Sequence, residues 1–153
     1  MLNVLVGPDR IGTALAAGSC AFDAVGDKGR QVVVARVNGE VVDLSHELTE
    51  GDHVEAILIS DPIGLSVLRH SVAHLVAQAT QVVFPDVKLG IGPPTKDGFF
   101  YDFGTSRTFT PEDLVAIEKK CVEIVNSGQK FARRVTTREA ARTELKPPVI
   151  SFT

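Results

Sequence analysis

Residues 1 to 61 carry short apolar runs separated by turn residues, which is the pattern of strands joined by tight connections. The sequence predicts strands at 2–6, 31–37, 40–44 and 53–59, a short helix at 11–17, and a loop or weak helical turn at 18–29. Asn38-Gly39 predicts a two-residue hairpin turn between two of these strands, since both turn positions need positive φ. The segment 61–64, Asp-Pro-Ile-Gly, then marks a linker or domain junction.

The second part of the chain opens with helical periodicity. A helix is predicted over 65–84, because apolar residues recur on one of its sides and Pro85 ends it. Thr110 and Pro111 suit the N-cap and first position of another helix, which ends near Gly128. The apolar positions of the first helix are Leu65, Leu68, Val72, Leu75, Ala79 and Val83. The remaining predictions are a hairpin of strands 87–91 and 99–103, a strand at 131–135, a helix at 137–145 and, at 149–153, an edge strand or a frayed end.

Length and composition limit the class of protein. The 153 residues fit one domain or two small ones, and 44% hydrophobic with 23% charged residues is typical of globular chains. No run of about 18 apolar residues is present, so no membrane-spanning helix is expected. The N-terminus lacks the pattern of a secretory signal. Cys20 and Cys121 are too few for a disulfide framework, so a cytoplasmic location is expected.

Charge is unevenly distributed along the chain. The formal net charge of −3 argues against a dedicated polyanion binder. Residues 1–117 carry 8 Lys and Arg against 15 Asp and Glu, whereas residues 118–153 carry 8 against 4. A basic segment on an acidic body could contact phosphate, or it could simply be a solvated helix face. The candidates for phosphate contact are Lys130, Arg133 and Arg134.

Two histidines form the sharpest local feature. His70 and His74 are spaced i and i+4, so they share one face of the predicted helix. That face points away from the apolar side and also carries Gln78 and Gln81. This placement disfavours histidines buried in the core, whereas an exposed pair without a function stays open.

Two functional interpretations of this pair compete. Histidines at i and i+4 are a common zinc-ligand geometry, but zinc needs three or four protein ligands and the helix supplies two. His46, His53, Cys121 and the acidic residues would complete a site only if the fold brought them there. The other interpretation is general acid–base catalysis or substrate positioning, for which imidazole suits neutral pH. The spacing alone does not choose between them.

Other catalytic motifs are missing from the sequence. There is no Gly-x-Ser-x-Gly nucleophile elbow and no phosphate-binding P-loop. The segment Gly90-Ile91-Gly92 lacks the third glycine and the following helix of a dinucleotide site. Cys121 falls on the apolar side of its helix and is predicted to be a core residue.

Several sequence blocks resemble a known family. They occur in order as Arg69-His70-Ser71-Val72-Ala73-His74-Leu75, Phe84-Pro85, Lys88 to Pro94, Asp97 to Phe103 and Pro111 to Leu114. These blocks resemble the N-terminal region of bacterial threonyl-tRNA synthetases, most closely the actinobacterial type. Residues 30–60 resemble the small TGS domain of that family. The resemblance extends over roughly residues 1–146.

The resemblance implies an α+β fold with two parts. Residues 1–61 are expected to form a small β-grasp, ubiquitin-like TGS domain, and residues 64–153 a truncated α+β editing-type domain. In the family, the editing domain hydrolyses serine from mischarged threonine tRNA. His70 and His74 match the histidine pair of that pocket and are the expected catalytic residues. The expected substrate-binding residues are Gln78, Gly90, Gly92, Pro93, Phe100, Tyr101 and Asp102.

Part of the family pattern is missing. The Cys-x-x-x-His motif that completes the pocket, and the catalytic core of the ligase, have no counterpart here, so no ligase activity is expected. The tail from Lys146 also departs from the family, which favours a naturally short protein. Three functions stay open. They are hydrolysis of seryl-tRNA or a related aminoacyl ester, non-catalytic binding of tRNA or a synthetase, and recruitment of the scaffold to small-molecule chemistry. No cofactor is expected beyond an incomplete zinc site, and the oligomeric state is not predicted.

Overall fold

The computed structural model describes residues 1–28, 31–129, 131 and 134–144. Its first part is a five-stranded sheet with one short helix, α1 (Ala21–Val25). The strands are β1 (Leu2–Val6), β2 (Ile11–Leu15), β3 (Val32–Val37), β4 (Glu40–Val42) and β5 (His53–Leu58). They lie in the order β2-β1-β5-β3-β4, with β1 and β5 parallel and the other pairs antiparallel. Among the described helices, none has the length and apolar character needed to cross a bilayer.

The helix predicted at 11–17 is wrong, because this segment is strand β2. Ile11 pairs with Val6 and Leu15 with Leu2, so β1 and β2 form an antiparallel hairpin. The connecting turn has positive φ at Gly7 and closes with a hydrogen bond from the Arg10 amide to the Gly7 carbonyl at 3.1 Å. Pairing with β1 gives these residues a partner that local periodicity does not reveal.

One core lies between α1 and one face of the sheet. It contains Val4 from β1 and Val54 from β5, and both residues are almost completely buried. The Asp23 carboxylate accepts a hydrogen bond from the Cys20 amide at 2.8 Å and so closes the start of α1. The other buried members of this core are Leu2, Ala21, Val25, Ala35, Val37 and Leu48. A five-residue helix at this place agrees with the predicted weak helical turn.

The predicted hairpin turn between β3 and β4 is confirmed. Asn38 and Gly39 both have positive φ, at 51° and 92°. The Asn38 side chain also accepts a hydrogen bond from the His53 amide at 3.0 Å and donates one to Asp52 at 2.7 Å. Burial favours a higher pKa for Asp52, but hydrogen bonds from Thr49 and Asn38 outweigh it and hold the pKa below its usual range. Asn38 therefore links the turn to β5 as well as forming it.

Helix α2 (Pro62–Val83) covers the other face of the sheet. It begins with Asp61, whose carboxylate accepts a hydrogen bond from the Ile63 amide at 2.7 Å. Val34 and Ile57 alternate with the core residues of their strands, and both are buried where α2 contacts β3 and β5. Gly64 permits this approach, since a Cβ there would lie 2.1 Å from the Leu58 carbonyl oxygen. The division into domains at residues 61 to 64 stays a prediction.

In the second part of the chain, a further helix packs against α2. Helix α3 (Pro111–Asn126) contacts α2, and α4 (Arg138–Glu144) follows it in the chain. Thr110 caps α3, as predicted, by accepting a hydrogen bond from the Asp113 amide at 3.3 Å. Thr137 likewise accepts one from the Ala140 amide at 3.2 Å. Both predicted helices are thus confirmed over their described residues.

The predicted hairpin of strands 87–91 and 99–103 is shorter than expected. Only β6 (Lys88–Leu89) and β7 (Phe103–Gly104) form a two-stranded ladder. Beyond it, Asp102 faces two residues at once, since its carbonyl accepts a hydrogen bond from the Gly90 amide at 2.8 Å and its amide donates one to the Ile91 carbonyl at 2.9 Å. Two residues opposite one interrupt a regular ladder, as in a β-bulge, and pairing resumes only as an isolated bridge between Pro94 and Phe99. Of the strand predicted at 131–135, the described residues 131, 134 and 135 are not in a strand, and the segment 149–153 lies outside the described residues.

Candidate functional site

His70 and His74 lie together on an exposed face of α2, as their spacing predicts. Their Nε2 atoms are 3.1 Å apart, which is hydrogen-bond distance. The ring centroids are 4.5 Å apart and the rings are nearly perpendicular, at 80°. Both residues are exposed, so solvent and a ligand can reach the pair.

The backbone of a neighbouring turn orients His70. Its Nδ1 lies 3.3 Å from the Gly92 carbonyl oxygen. Because a carbonyl oxygen only accepts hydrogen bonds, this contact places a proton on Nδ1 of His70. Nε2 of a neutral His70 then has a lone pair, and His74 Nε2 donates to it. One imidazole is thus held in a fixed tautomer beside a second ring that can exchange a proton with it.

The turn that carries Gly92 is fixed to α2 by Arg69. The guanidinium Nη1 donates to the carbonyl oxygens of Thr95 at 3.1 Å and of Lys96 at 2.6 Å. The turn closes on itself through a hydrogen bond from the Thr95 amide to the Gly98 carbonyl at 2.8 Å. The residue before the histidine pair therefore holds the loop that orients the pair.

An aromatic side chain packs against the other side of Gly92. A Cβ at Gly92 would lie 2.1 Å from Cδ2 of Tyr101, so the ring occupies the space that a side chain would fill. Tyr101 in turn stacks on Phe103, with ring centroids 5.0 Å apart. A Cβ at Gly90 would similarly meet the Asp102 carbonyl oxygen at 2.8 Å. The two glycines are thus required for close packing of the turn.

The structure brings most of the predicted substrate-binding residues together and separates one. Beside His70, the turn and the segment that follows it form a layer of residues in mutual contact. This layer contains Gly90, Gly92, Tyr101 and Asp102. In that layer Phe100 and Asp102 are exposed, whereas Pro93 and Tyr101 are half-buried.

Gln78 lies elsewhere, in a different environment from the histidines. Its side-chain amide donates to Gln129 at 2.9 Å. Both glutamines line a cavity of about 230 Å³ between α2 and α3, together with Leu68, Ser71, Val72, Leu75, Ile124, Val125 and Phe131. The apolar side predicted for α2 thus faces this cavity in part. Ala73, Ala77 and Thr80 form a second, more deeply buried strip that the apolar periodicity did not indicate.

Of the three predicted phosphate contacts, Arg134 lies within the described residues. Lys130 and Arg133 lie outside the described residues. Arg134 is exposed and forms an ion pair with Glu144 on α4. This carboxylate already occupies the guanidinium, and a phosphate would have to compete with it.

Neither a reactive thiol nor a complete metal site accompanies the histidine pair within the described residues. Burial, followed by the nearby Glu118 carboxylate, raises the pKa of the Cys121 thiol, which disfavours the reactive thiolate. Within the described ranges, no group of three or more His, Cys, Asp or Glu residues is arranged to hold a metal ion. His70 and His74 thus offer two nitrogen ligands, where a zinc ion requires at least three.

The contacts of Arg69 and Gln129 have no signal in the local sequence. Arg69 stands next to His70 in the sequence, but its partners are 26 and 27 residues away. Gln129 meets Gln78 across 51 residues. Contacts of this range leave no local periodicity, so neither role could be predicted from the sequence.

Comparisons with known proteins agree with this architecture. Residues 6–58 match the family model of the TGS domain, which confirms the predicted β-grasp and α+β class. The threonine–tRNA ligase of Streptomyces griseus is 61% identical over 116 residues, covering 76% of this chain and 18% of that protein. The Streptomyces avermitilis enzyme is 60% identical over 116 residues, with the same coverage. The Thermobifida fusca enzyme is 52% identical over 141 residues, covering 92% of this chain and 21% of that protein. The chain thus spans about a fifth of the length of these relatives.

Proposed function

Because this chain carries a TGS domain and is closely similar to the N-terminal region of actinobacterial threonyl-tRNA synthetases, we propose that it hydrolyses a mischarged aminoacyl-tRNA. The substrate is serine esterified to the acceptor end of threonine tRNA, or a related aminoacyl ester. The observation that carries the proposal is the imidazole pair, with 3.1 Å between the Nε2 atoms of His70 and His74. Charged tRNA as substrate assigns the reaction to the cytoplasm.

The chemistry needs one group that first accepts and then returns a proton. Attack of water on the ester carbonyl carbon forms a C–O bond, and the proton that the water loses passes to Nδ1 of His74, the one ring nitrogen of the pair whose lone pair is free in this arrangement. Collapse of the tetrahedral intermediate breaks the bond to the ribose oxygen, which takes the proton back. The products are free serine and uncharged tRNA. The Gly92 carbonyl holds a proton on Nδ1 of His70. Nε2 of His70 therefore accepts the hydrogen bond that links the two rings.

A separate hydrolytic site has a clear chemical purpose. Serine differs from threonine by one methyl group, and a synthetic pocket gains only about 1–3 kcal/mol of discrimination from such a difference. Hydrolysis after the transfer step removes the errors that remain. A site that acts on the smaller amino acid therefore complements a ligase that selects the larger one.

The exposed members of the turn are the proposed substrate contacts. Phe100 offers a ring on which a terminal base can stack, and the residue is 49% exposed. Asp102 and Pro93 border the same layer, while Gly90, Gly92 and Tyr101 shape it through packing. Arg134, once released from Glu144, is proposed to contact phosphate together with Lys130 and Arg133.

Deacylation of charged tRNA tests this function. Purified protein is incubated with threonine tRNA charged with serine or threonine, and free amino acid is measured over time. We expect serine to be released above the spontaneous rate, and His70→Ala or His74→Ala to slow release by about 100-fold or more. His46→Ala is the matched control, since His46 is also exposed but lies in the β-rich part. Spontaneous rates with folded wild type, or full activity in both variants, would contradict the proposal.

One observation favours a second function, which is non-catalytic binding to a threonyl-tRNA synthetase. Helix α3 has exposed apolar residues beside the side that contacts α2, and such surfaces mark protein interfaces. These residues are Leu114, Val115, Val122 and Val125, exposed by 59%, 65%, 53% and 61%. Sedimentation with a purified actinobacterial synthetase tests this function. A complex that Val122→Lys abolishes, without any deacylation, would support it, and independent sedimentation of the two proteins would exclude it.

A further inference from the structure

The charged side chain of Arg69 forms hydrogen bonds with backbone groups. It lies on α2 directly before His70 and is half-buried. Its Nη1 donates to two backbone carbonyl oxygens, of Thr95 at 3.1 Å and Lys96 at 2.6 Å. Among the described residues, no carboxylate forms an ion pair with it. Both described hydrogen bonds of the guanidinium therefore go to the backbone of one turn.

The geometry of that turn transmits the constraint to the histidine pair. Gly92, whose carbonyl faces His70 Nδ1, is separated from Thr95 by two prolines. Proline fixes φ near −65°, so the segment between the two carbonyls has little freedom. On the far side, Tyr101 closes the space over Gly92. The Gly92 carbonyl is thus held by Arg69 through a rigid segment and by an aromatic ring.

We propose that Arg69 is a positioning residue that sets the tautomer and orientation of His70. It acts through the turn and does not itself touch the substrate or the reacting atoms. Without its two hydrogen bonds the turn moves away from α2, and His70 loses the acceptor that keeps its proton on Nδ1. The catalytic consequence rests on the proposed hydrolysis, whereas the effect on the His70 tautomer does not.

Two substitutions separate the donors of Arg69 from its packing. Arg69→Met retains an apolar stem of similar length but removes every donor. Arg69→Lys retains a cation that can donate to the carbonyls, but its charge is compact and its geometry differs. Lys96→Met is the matched control, because it removes a positive charge from the same turn. The hydrogen bond from Arg69 reaches only the backbone carbonyl of Lys96, so loss of the Lys96 side chain should leave it intact.

Nitrogen NMR of the imidazole rings tests the inference directly. In wild type and in Lys96→Met, the spectrum should show His70 protonated on Nδ1. In Arg69→Met, His70 should lose this preference for Nδ1. Arg69→Lys should recover part of it. His53 is the internal control, since its Nε2 lies 2.8 Å from the Gly7 carbonyl in the β-rich part. An unchanged His70 tautomer in folded Arg69→Met would overturn the inference.

Hydrolysis supplies the second readout. If serine release is observed, Arg69→Met should lower kcat by about 10- to 100-fold, as expected when a catalytic group is misplaced by about 1 Å. KM should change little, because Arg69 does not contact the substrate, and Arg69→Lys should restore part of kcat. Absence of hydrolysis in wild type would refute the proposed function, and the His70 tautomer would still decide the role of Arg69.

Discussion

Substitution of Gly92 tests whether the turn beside the histidines is as tightly packed as the structure indicates. An added Cβ would lie 2.1 Å from Cδ2 and 2.4 Å from Cε2 of Tyr101, well inside contact distance. Tyr101 cannot simply rotate away, since it stacks on Phe103 at 5.0 Å. Gly92→Ala must therefore shift the ring or the turn. Such overpacking costs about 1–3 kcal/mol of unfolding free energy.

The chain provides its own probe for this substitution. Tyr101 is the only tyrosine and there is no tryptophan, so tyrosine fluorescence reports on this contact. Urea unfolding is followed by that fluorescence and by far-UV circular dichroism. Gly98→Ala is the matched control, because a Cβ there meets no atom within 4 Å. We expect the control to stay within about 0.5 kcal/mol of wild type.

A double-mutant cycle identifies the source of the cost. In a Tyr101→Ala background, where unfolding is followed by circular dichroism alone, the ring is gone, so Gly92→Ala should cost less than about 0.5 kcal/mol. Equal stability of Gly92→Ala and Gly98→Ala in the wild-type background would refute the packing argument. A cost that persists without the Tyr101 ring would place the strain in the turn backbone instead.

Three further predictions concern the scaffold. Gly64→Ala gains about 1 kcal/mol of helix propensity, but its Cβ would lie 2.1 Å from the Leu58 carbonyl oxygen, which belongs to the backbone. Urea unfolding should therefore show a net loss of about 1–3 kcal/mol of unfolding free energy. Ser66→Ala, at an exposed position of the same helix, should stay near wild type. Thr110→Ala removes the cap of α3 and should cost about 1 kcal/mol in the same assay. The pKa of Asp52 is lower in the folded chain than its unfolded value of about 3.9, so its contribution is present above that pH and is lost as the pH falls through the folded pKa. Asp52→Asn should thus be less stable than wild type near neutral pH, and the difference should narrow in acid.

Features with strong local signals could be predicted from the sequence. The hairpin turn followed from Asn38-Gly39, because few other pairs accept two positive φ angles. The start of α3 followed from Thr110 and Pro111, whose side chains suit a cap and a first helical position. The shared face of the histidine pair followed from its spacing alone.

Features that depend on distant partners could not be predicted. Residues 11–15 form a strand because β1 is available to pair with them, and this pairing outweighs their local helical pattern. The helical angle places Gln78 near the face that carries the histidines. The side chain of Gln78 nevertheless forms a hydrogen bond with Gln129 and lines the α2–α3 cavity. The contact of Arg69 with the turn likewise joins segments that are far apart in the sequence.

We propose that the aminoacyl ester is held at His70 and His74. The most direct test is the NMR spectrum of the four histidine rings during titration with an amide-linked, non-hydrolysable analogue of seryl-adenosine. We expect saturable shifts of the His70 and His74 resonances, with those of His46 and His53 unchanged. Shifts confined to the β-rich part, or no shift at all at high analogue concentration, would contradict it.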